Sequence, residues 1–248
     1  MDHSFSPMQL CRLAAFATLS ALASGCSRSA ATPSVSTTSP LSASVAANVP
    51  AEPAIVAAVV PPLRVRALLE ERDRTPDDRA IDDAKQGAEV LAYLGVEPGM
   101  NVAELTSGGG YYTELIARSV GTNGRVFAEN PPSLLAKSGL APAWDDRLLH
   151  PPGTRIVRVD AELGVPLPLA GLDLVYAGDD LGDLGAQKVN AGATEAWGAL
   201  REGGRFVVMQ KAANVEARRL IERFGFRLVS EGRFLRGGGR VLLTFVKP

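Results

Sequence analysis

NVAELTSGGGYYTELIARSVG, residues 101–121, reads as a short apolar strand ending on an acid, then a triple-glycine turn, then an amphipathic helix. A strand that runs into Gly108-Gly109-Gly110 needs a backbone that turns sharply or lets something approach closely. Strand, turn and helix in this order, early in an α/β domain, form a cradle for a nucleotide-like ligand.

Two details bear on which ligand. A dinucleotide fingerprint has a third glycine three residues after the second, and Thr113 stands there instead. Glu104 ends the strand. Its carboxylate repels a pyrophosphate and attracts the ammonium and sulfonium of S-adenosylmethionine. At an effective dielectric near 20, unit charges about 4 Å apart interact by roughly 4 kcal/mol before desolvation, so the sign of the charge outweighs the glycine count.

Downstream of the turn, strands and helices alternate. The pattern predicts strands over 125–128, 155–159, 172–176 and 205–209, with helices over 131–140, 186–200 and 215–224. Two further strands, 226–230 and 240–246, flank Gly237-Gly238-Gly239 as a hairpin. Upstream, Thr75-Pro76-Asp77-Asp78 is a helix start, with Thr as cap, Pro in the first turn and two acids after it; that helix is predicted to run to Leu94 and stop at Gly95. Alternation of this kind gives a mostly parallel sheet covered on both faces. Ligands of such sheets lie beyond the carboxyl ends of the strands. The acids at those ends are Glu104, Glu129, Asp160 and Asp179.

The first residues belong to targeting, not to the fold. Arg12 precedes the apolar run LAAFATLSALASG, too short to span a bilayer, which ends in Ala23-Ser24-Gly25-Cys26. This resembles a bacterial lipobox and predicts a signal peptide over 1–25, lipidation of Cys26 and anchoring on the periplasmic side, with Ser27 favouring the outer membrane. An ordinary secretory signal peptide is the other reading. Residues 26–62 are a Ser/Ala/Pro tract with Arg28 and Glu52 as its charges, a composition that predicts a disordered tether. The folded domain is then 63–248. With Cys11 in the leader and Cys26 lipidated, that domain holds no thiol, so a disulfide, a thiolate metal site and a cysteine nucleophile are all excluded. A net charge of −1 and 6% aromatic residues argue against a nucleic-acid partner. No metal ligand set is visible.

Three stretches, RTPDDRAIDDAKQGAEVLAYLGVEPGM, ELTSGGGYYTELIARSVGTNGRVFAEN and GFRLVSEGRFLRGGGRVLLTFVKP, together resemble a family of exported bacterial proteins similar to class I S-adenosylmethionine-dependent methyltransferases. The resemblance covers the chain from Arg74 onward. It implies a Rossmann-like seven-stranded sheet with an antiparallel C-terminal hairpin and S-adenosylmethionine as cofactor. By the same resemblance, Glu104, Gly108, Gly109, Gly110 and Tyr111 line the methionine end, Glu129 binds the ribose hydroxyls, and Asp160 with the backbone of Ala161 lies near the adenine edge. The acceptor implied is a small molecule or an envelope component.

The chain departs from the family where the acceptor would lie. Asp179, Asp180 and Gly182 replace residues of an Arg-Asn-x-His-Asp type cluster, and Gln210-Lys211 replaces Asp-His. Asp179 and Asp180 are the candidate acceptor-side residues, and His150 is the only histidine after the leader. Two further readings stay open. One is a binding lipoprotein that keeps the fold and has lost turnover. The other is a nicotinamide-dependent oxidoreductase, against which Thr113 and Glu104 count.

Overall fold

A computed structural model describes residues 52–178, 181–237 and 239–248. Strand β2 (Asn101–Leu105) has four of its five residues buried, as a strand covered on both faces must. It lies inside an eight-stranded sheet with the order β1-β7-β8-β6-β5-β2-β3-β4, third from the β4 edge. The strands are β1 (Ala54–Val56), β3 (Arg125–Asn130), β4 (Ile156–Asp160), β5 (Leu172–Ala177), β6 (Leu200–Lys211), β7 (Arg227–Gly232) and β8 (Arg240–Val246). Strands β4, β3, β2, β5 and β6 pair in parallel, whereas β8 runs antiparallel to both β6 and β7. Chain order reverses between β2 and β5. The glycine turn leaves β2 at this switch point, where an open sheet offers a crevice.

Helices cover both faces. Helices α8 (Ala186–Ala199) and α9 (Val215–Arg223) lay small and branched side chains, among them Val189, Ala193 and Ile221, on one face, together with Ala103, Leu105 and Phe127 of the strands. On the other face lie α1 (Leu63–Leu69), α4 (Gly87–Leu94), α5 (Tyr111–Val120), α6 (Pro132–Ser138) and α7 (Ala141–Leu149), packed on Val102, Val126 and Leu174. Trp144 of α7 is buried in that second layer.

The structure corrects the sequence reading in three places. The sheet has eight strands rather than seven. The extra one, β1, lies inside the tract predicted to be a disordered tether and pairs in parallel with β7, Ala54 opposite Ser230. Three residues of Ala, Ile and Val carry too little pattern to be read as a strand, because their partner lies at the far end of the chain. The helix predicted over 76–94 is broken into α2 (Pro76–Ala80), α3 (Asp82–Lys85) and α4. Gln86 interrupts it in the left-handed conformation (φ 50°, ψ 47°). Its side chain accepts the Arg236 N–H and faces the Phe234 carbonyl, so the β7–β8 loop holds the break open. Finally, α7 occupies residues 141–149, a stretch to which the sequence pattern gave no element. Pro142 in its first turn and the spacing of Trp144 and Leu148 are ordinary helix signals.

Candidate functional site

The site begins where β2 ends. Thr106 takes a left-handed conformation (φ 52°), rare for a β-branched residue. Its N–H donates to Glu129 Oε2 at 3.0 Å. The N–H and Oγ of Ser107 both donate to the Glu129 carbonyl, at 2.9 and 3.1 Å. Asn130 completes the clamp: its Oδ1 accepts the Gly108 N–H at 2.8 Å, and its Nδ2 donates to Ser107 Oγ at 2.8 Å. From the other side, the Trp144 indole donates to the Gly108 carbonyl at 2.7 Å. The turn is thus tied to β3 and to α7 before any ligand arrives, a preorganised cradle.

Cavities flank the clamped turn. One of about 430 Å³ is lined by Thr106, Gly108, Pro131, Leu163, Leu184 and Lys188. A smaller one of about 210 Å³ lies on the α2–α3 side, lined by Ser107, Gly109, Tyr111, Tyr112, Asp78 and Lys85. Lys85 and Tyr112 also line a third cavity, of about 310 Å³, that extends to Arg236 and Arg240.

The predicted acids separate by face, since successive strand residues point to opposite sides. Glu104 alternates with Ala103 and Leu105 and so faces α5, where Thr113 Oγ1 donates to its Oε2. Thr113 therefore occupies the third-glycine place as a hydrogen-bond partner of the acid. Glu129 follows Phe127 onto the α8 face. It is fully buried, and its Oε1 has no hydrogen-bond partner among the described residues. Burial pushes its carboxyl up to about 8, helped by the charge of Glu195 and opposed by the Thr106 N–H.

The remaining predicted residues are not all brought together. Asp160 aligns with Asn130 in the sheet, but its carboxylate pairs with Arg158 at 2.7 Å, and Arg158 also holds Asp145 of α7. It is exposed, whereas Ala161 beside it is half-buried. The Tyr111 hydroxyl donates to Asp82 at 2.8 Å, and burial together with that bond raises its pKa above the ordinary phenol value, so it stays protonated. Asp179 and Asp180 lie outside the described residues. His150 is exposed at the end of α7, with Nδ1 on the Asp146 carbonyl. Gln210 is buried and donates to the Asn214 carbonyl at 2.8 Å, and Asn214 in turn donates to the Gly182 carbonyl. These two residues tie together the loops that follow β5 and β6.

Sequence reading missed Asn130, Trp144, Glu195 and a buried ion network. Asn130 sits directly after Glu129, and a polar residue at that strand end was the available signal. In the network, Glu114 of α5 takes Arg118 and Arg147, Arg147 also takes Asp78, and Arg74 takes Asp82 through both its Nη atoms at 2.7 Å. These pairs hold α2, α3 and α7 around the start of α5.

Residues 74–147 match the family described as protein-L-isoaspartate(D-aspartate) O-methyltransferase (PCMT). No curated protein matches the chain in sequence. Among solved structures, a SAM-dependent methyltransferase from Aquifex aeolicus is similar with a TM-score of 0.54 at 15% identity, over 73% of this chain and 98% of that one. The pyocyanin biosynthetic protein PhzM is similar with a TM-score of 0.54 at 18% identity, over 74% and 62%. TrmN from Thermus thermophilus is similar with a TM-score of 0.50 at 20% identity, over 75% and 52%. At these identities the likeness shows the fold, that of class I methyltransferases.

Proposed function

We propose that the chain is an S-adenosylmethionine-dependent methyltransferase acting on a small-molecule or envelope acceptor. The observation that carries this reading is the clamped glycine turn between two cavities, with a buried acid on each face of the sheet. Glu129 Oε1 is a buried acceptor with no partner among the described residues, which suits the hydroxyl donors of a ribose. Glu104 supplies a buried carboxylate on the opposite face of the sheet, suited to an ammonium. When bound, the cofactor supplies a methyl made electrophilic by sulfonium. The residues of the chain then have to hold that ligand extended across the turn and bring the acceptor into line with it.

Glu104→Gln is the direct test. Replacing a charged acceptor by a neutral one loses about 1.5–3 kcal/mol, which corresponds to a roughly ten- to hundred-fold weaker S-adenosylmethionine affinity by calorimetry. Adenosine, which lacks the ammonium, should lose little. Equal binding by parent and variant removes the assignment.

A binding protein that has lost turnover shares the same pocket, and the replaced residues at 179–182 and 210–211 favour it. Labelled S-adenosylmethionine offered with envelope extracts and small amines separates the two. Saturable methylation abolished by Asp179→Asn supports the enzyme.

The reading includes export and lipidation of Cys26, both supported by the leader pattern. Mass spectrometry of the mature N-terminus is expected to find acylated Cys26, and an unmodified terminus elsewhere removes the anchor. Among the described residues no helix is long and apolar enough to cross a membrane.

A further inference from the structure

Helix α8 carries one acid on its buried side, and a cavity lies against it. Glu195 is only 3% exposed, in a helix whose other buried residues are mainly Val189, Ala193, Ala196 and Ala199. Its Oε2 accepts the Gly164 N–H at 2.9 Å, and its Oε1 has no hydrogen-bond partner among the described residues. An acid in the middle of an otherwise small and apolar helix face needs a reason, because an unsatisfied buried oxygen carries a desolvation cost.

Glu195 lines a cavity of about 490 Å³ between α8 and the segment that joins β4 to β5. That segment supplies Pro166, Leu167, Pro168 and Leu169 to the wall, and the end of α8 supplies Gly198 and Ala199. Gly164 belongs to the same wall. It takes φ 100°, and a Cβ there would come within 3.1 Å of Ala191 Cβ, so a glycine lets the segment approach α8 closely enough to set its N–H on the acid. The carboxyl therefore stands at the wall of the cavity, bonded to one of its lining residues. Thr194 also lines the cavity, but its hydroxyl donates to the Asn190 carbonyl at 2.8 Å. Glu195 is thus the charged group among the described lining residues, set in apolar surroundings. The cavity shares no described lining residue with those beside the glycine turn. It reaches toward the edge of the sheet where β5 and β6 begin, whereas the turn leaves the edge where β2 ends.

A roomy apolar cavity with one convergent polar group has the make-up of a small-molecule site. The charge of that group decides what fits. No basic side chain among the described residues bonds to Glu195, and Lys188, earlier on α8, lies 3.9 Å from Glu162 instead. Burial without a counter-charge pushes the Glu195 carboxyl up to about 7. A cationic donor supplies the missing hydrogen bond and the missing charge together. We propose that this cavity is a second ligand site, separate from the glycine turn, for an apolar primary amine whose ammonium donates to Glu195 and whose hydrocarbon or aromatic body lies against Pro166, Leu167, Pro168 and Leu169. An alcohol of the same shape meets the same walls but brings no charge, and a carboxylate is repelled. The site goes beyond the methyl-transfer reading and stands without it.

Ligand-observed NMR titration of the full chain compares 2-phenylethylamine with 2-phenylethanol and 3-phenylpropionate at about pH 8, where the amine is charged and Glu195 ionises. The amine should bind saturably and at least about tenfold more tightly than the alcohol, with the carboxylate weakest. Glu195→Gln keeps an acceptor for the Gly164 N–H and removes the charge. Its amine affinity should fall roughly ten- to hundred-fold, to the level of the alcohol, while the alcohol changes little. Gly198→Leu tests the cavity by its volume. A Cβ at Gly198 meets nothing within 4 Å, so leucine enters the cavity without a clash, and it is a better helix former than glycine. This variant should melt no lower than the parent and bind neither amine nor alcohol. Equal affinity of amine and alcohol in the parent overturns the inference and needs no variant to fold, as does the absence of saturable amine binding. Amine binding that either variant leaves unchanged places the ligand elsewhere and overturns it too.

Discussion

Glu114→Ala is expected to lower the unfolding free energy by about 3–5 kcal/mol, the range for removing one partner from a buried ion network. Its side chain is 5% exposed, and Arg118 beside it is 3% exposed. Arg118 meets Glu114 at 2.8 Å through Nη2 and at 3.1 Å through Nε, Arg147 bonds its other oxygen, and Arg74 Nε approaches to 4.0 Å. Without that carboxylate, three guanidinium groups in one buried region lose a shared acceptor. Each keeps a second partner: Asp73 and Glu71 for Arg118, Asp78 for Arg147, and Asp82 for Arg74. The expected result is therefore a large loss of stability with folding retained at low temperature. Urea denaturation followed by circular dichroism gives the number. Glu114→Gln, which keeps an acceptor oxygen, should lose less than Ala. A loss below about 1 kcal/mol for Ala would place the network among the surface pairs that contribute little.

The network also explains how much of this molecule was legible in the residues. The alternation of strands and helices, the glycine turn and the antiparallel pair at the end are local patterns, and they read correctly. Arg74, Glu114, Arg118 and Arg147 are each unremarkable in their own segments. The pairing of Glu114 with Arg118 is one helical turn, but the rest depends on α2, α3 and α7 meeting the start of α5, which no spacing discloses. The matched family span, 74–147, contains all four of them. Glu129 was legible as a strand-end acid, whereas its isolation depends on α8 placing Glu195 on the same face. Asp160 illustrates the opposite case. Its position at a strand end suggested a ligand contact, but Arg158, two residues earlier on the same face, takes its carboxylate.

The glycines of the turn are not equivalent, and a pair of substitutions should separate their roles. Gly110 takes φ 80° at the cap of α5, and a Cβ there would meet the Trp144 ring at 2.8 and 2.9 Å. A left-handed alanine costs about 1–2 kcal/mol and overpacking about 1–3 kcal/mol, so Gly110→Ala is expected to lose roughly 2–5 kcal/mol. Trp144 has little room to yield. It is 1% exposed, and its indole N–H is the bond that holds the Gly108 carbonyl. Displacing the ring therefore loosens the turn, and S-adenosylmethionine affinity should fall together with stability. Gly109 lies outside the left-handed region, and a Cβ there would find only Leu140, at 4.0 Å. Gly109→Ala should fold as the parent does. Gly109 lines the cavity on the α2–α3 side, and under the proposed reading, in which the methionine end of the ligand lies there, the added methyl takes up part of its space. Melting curves and calorimetry on both variants give the contrast: Gly110→Ala loses stability and binding, Gly109→Ala loses binding alone. If Gly109→Ala binds S-adenosylmethionine as tightly as the parent, the ligand does not cross the turn on that side, and the smaller cavity is not its methionine end.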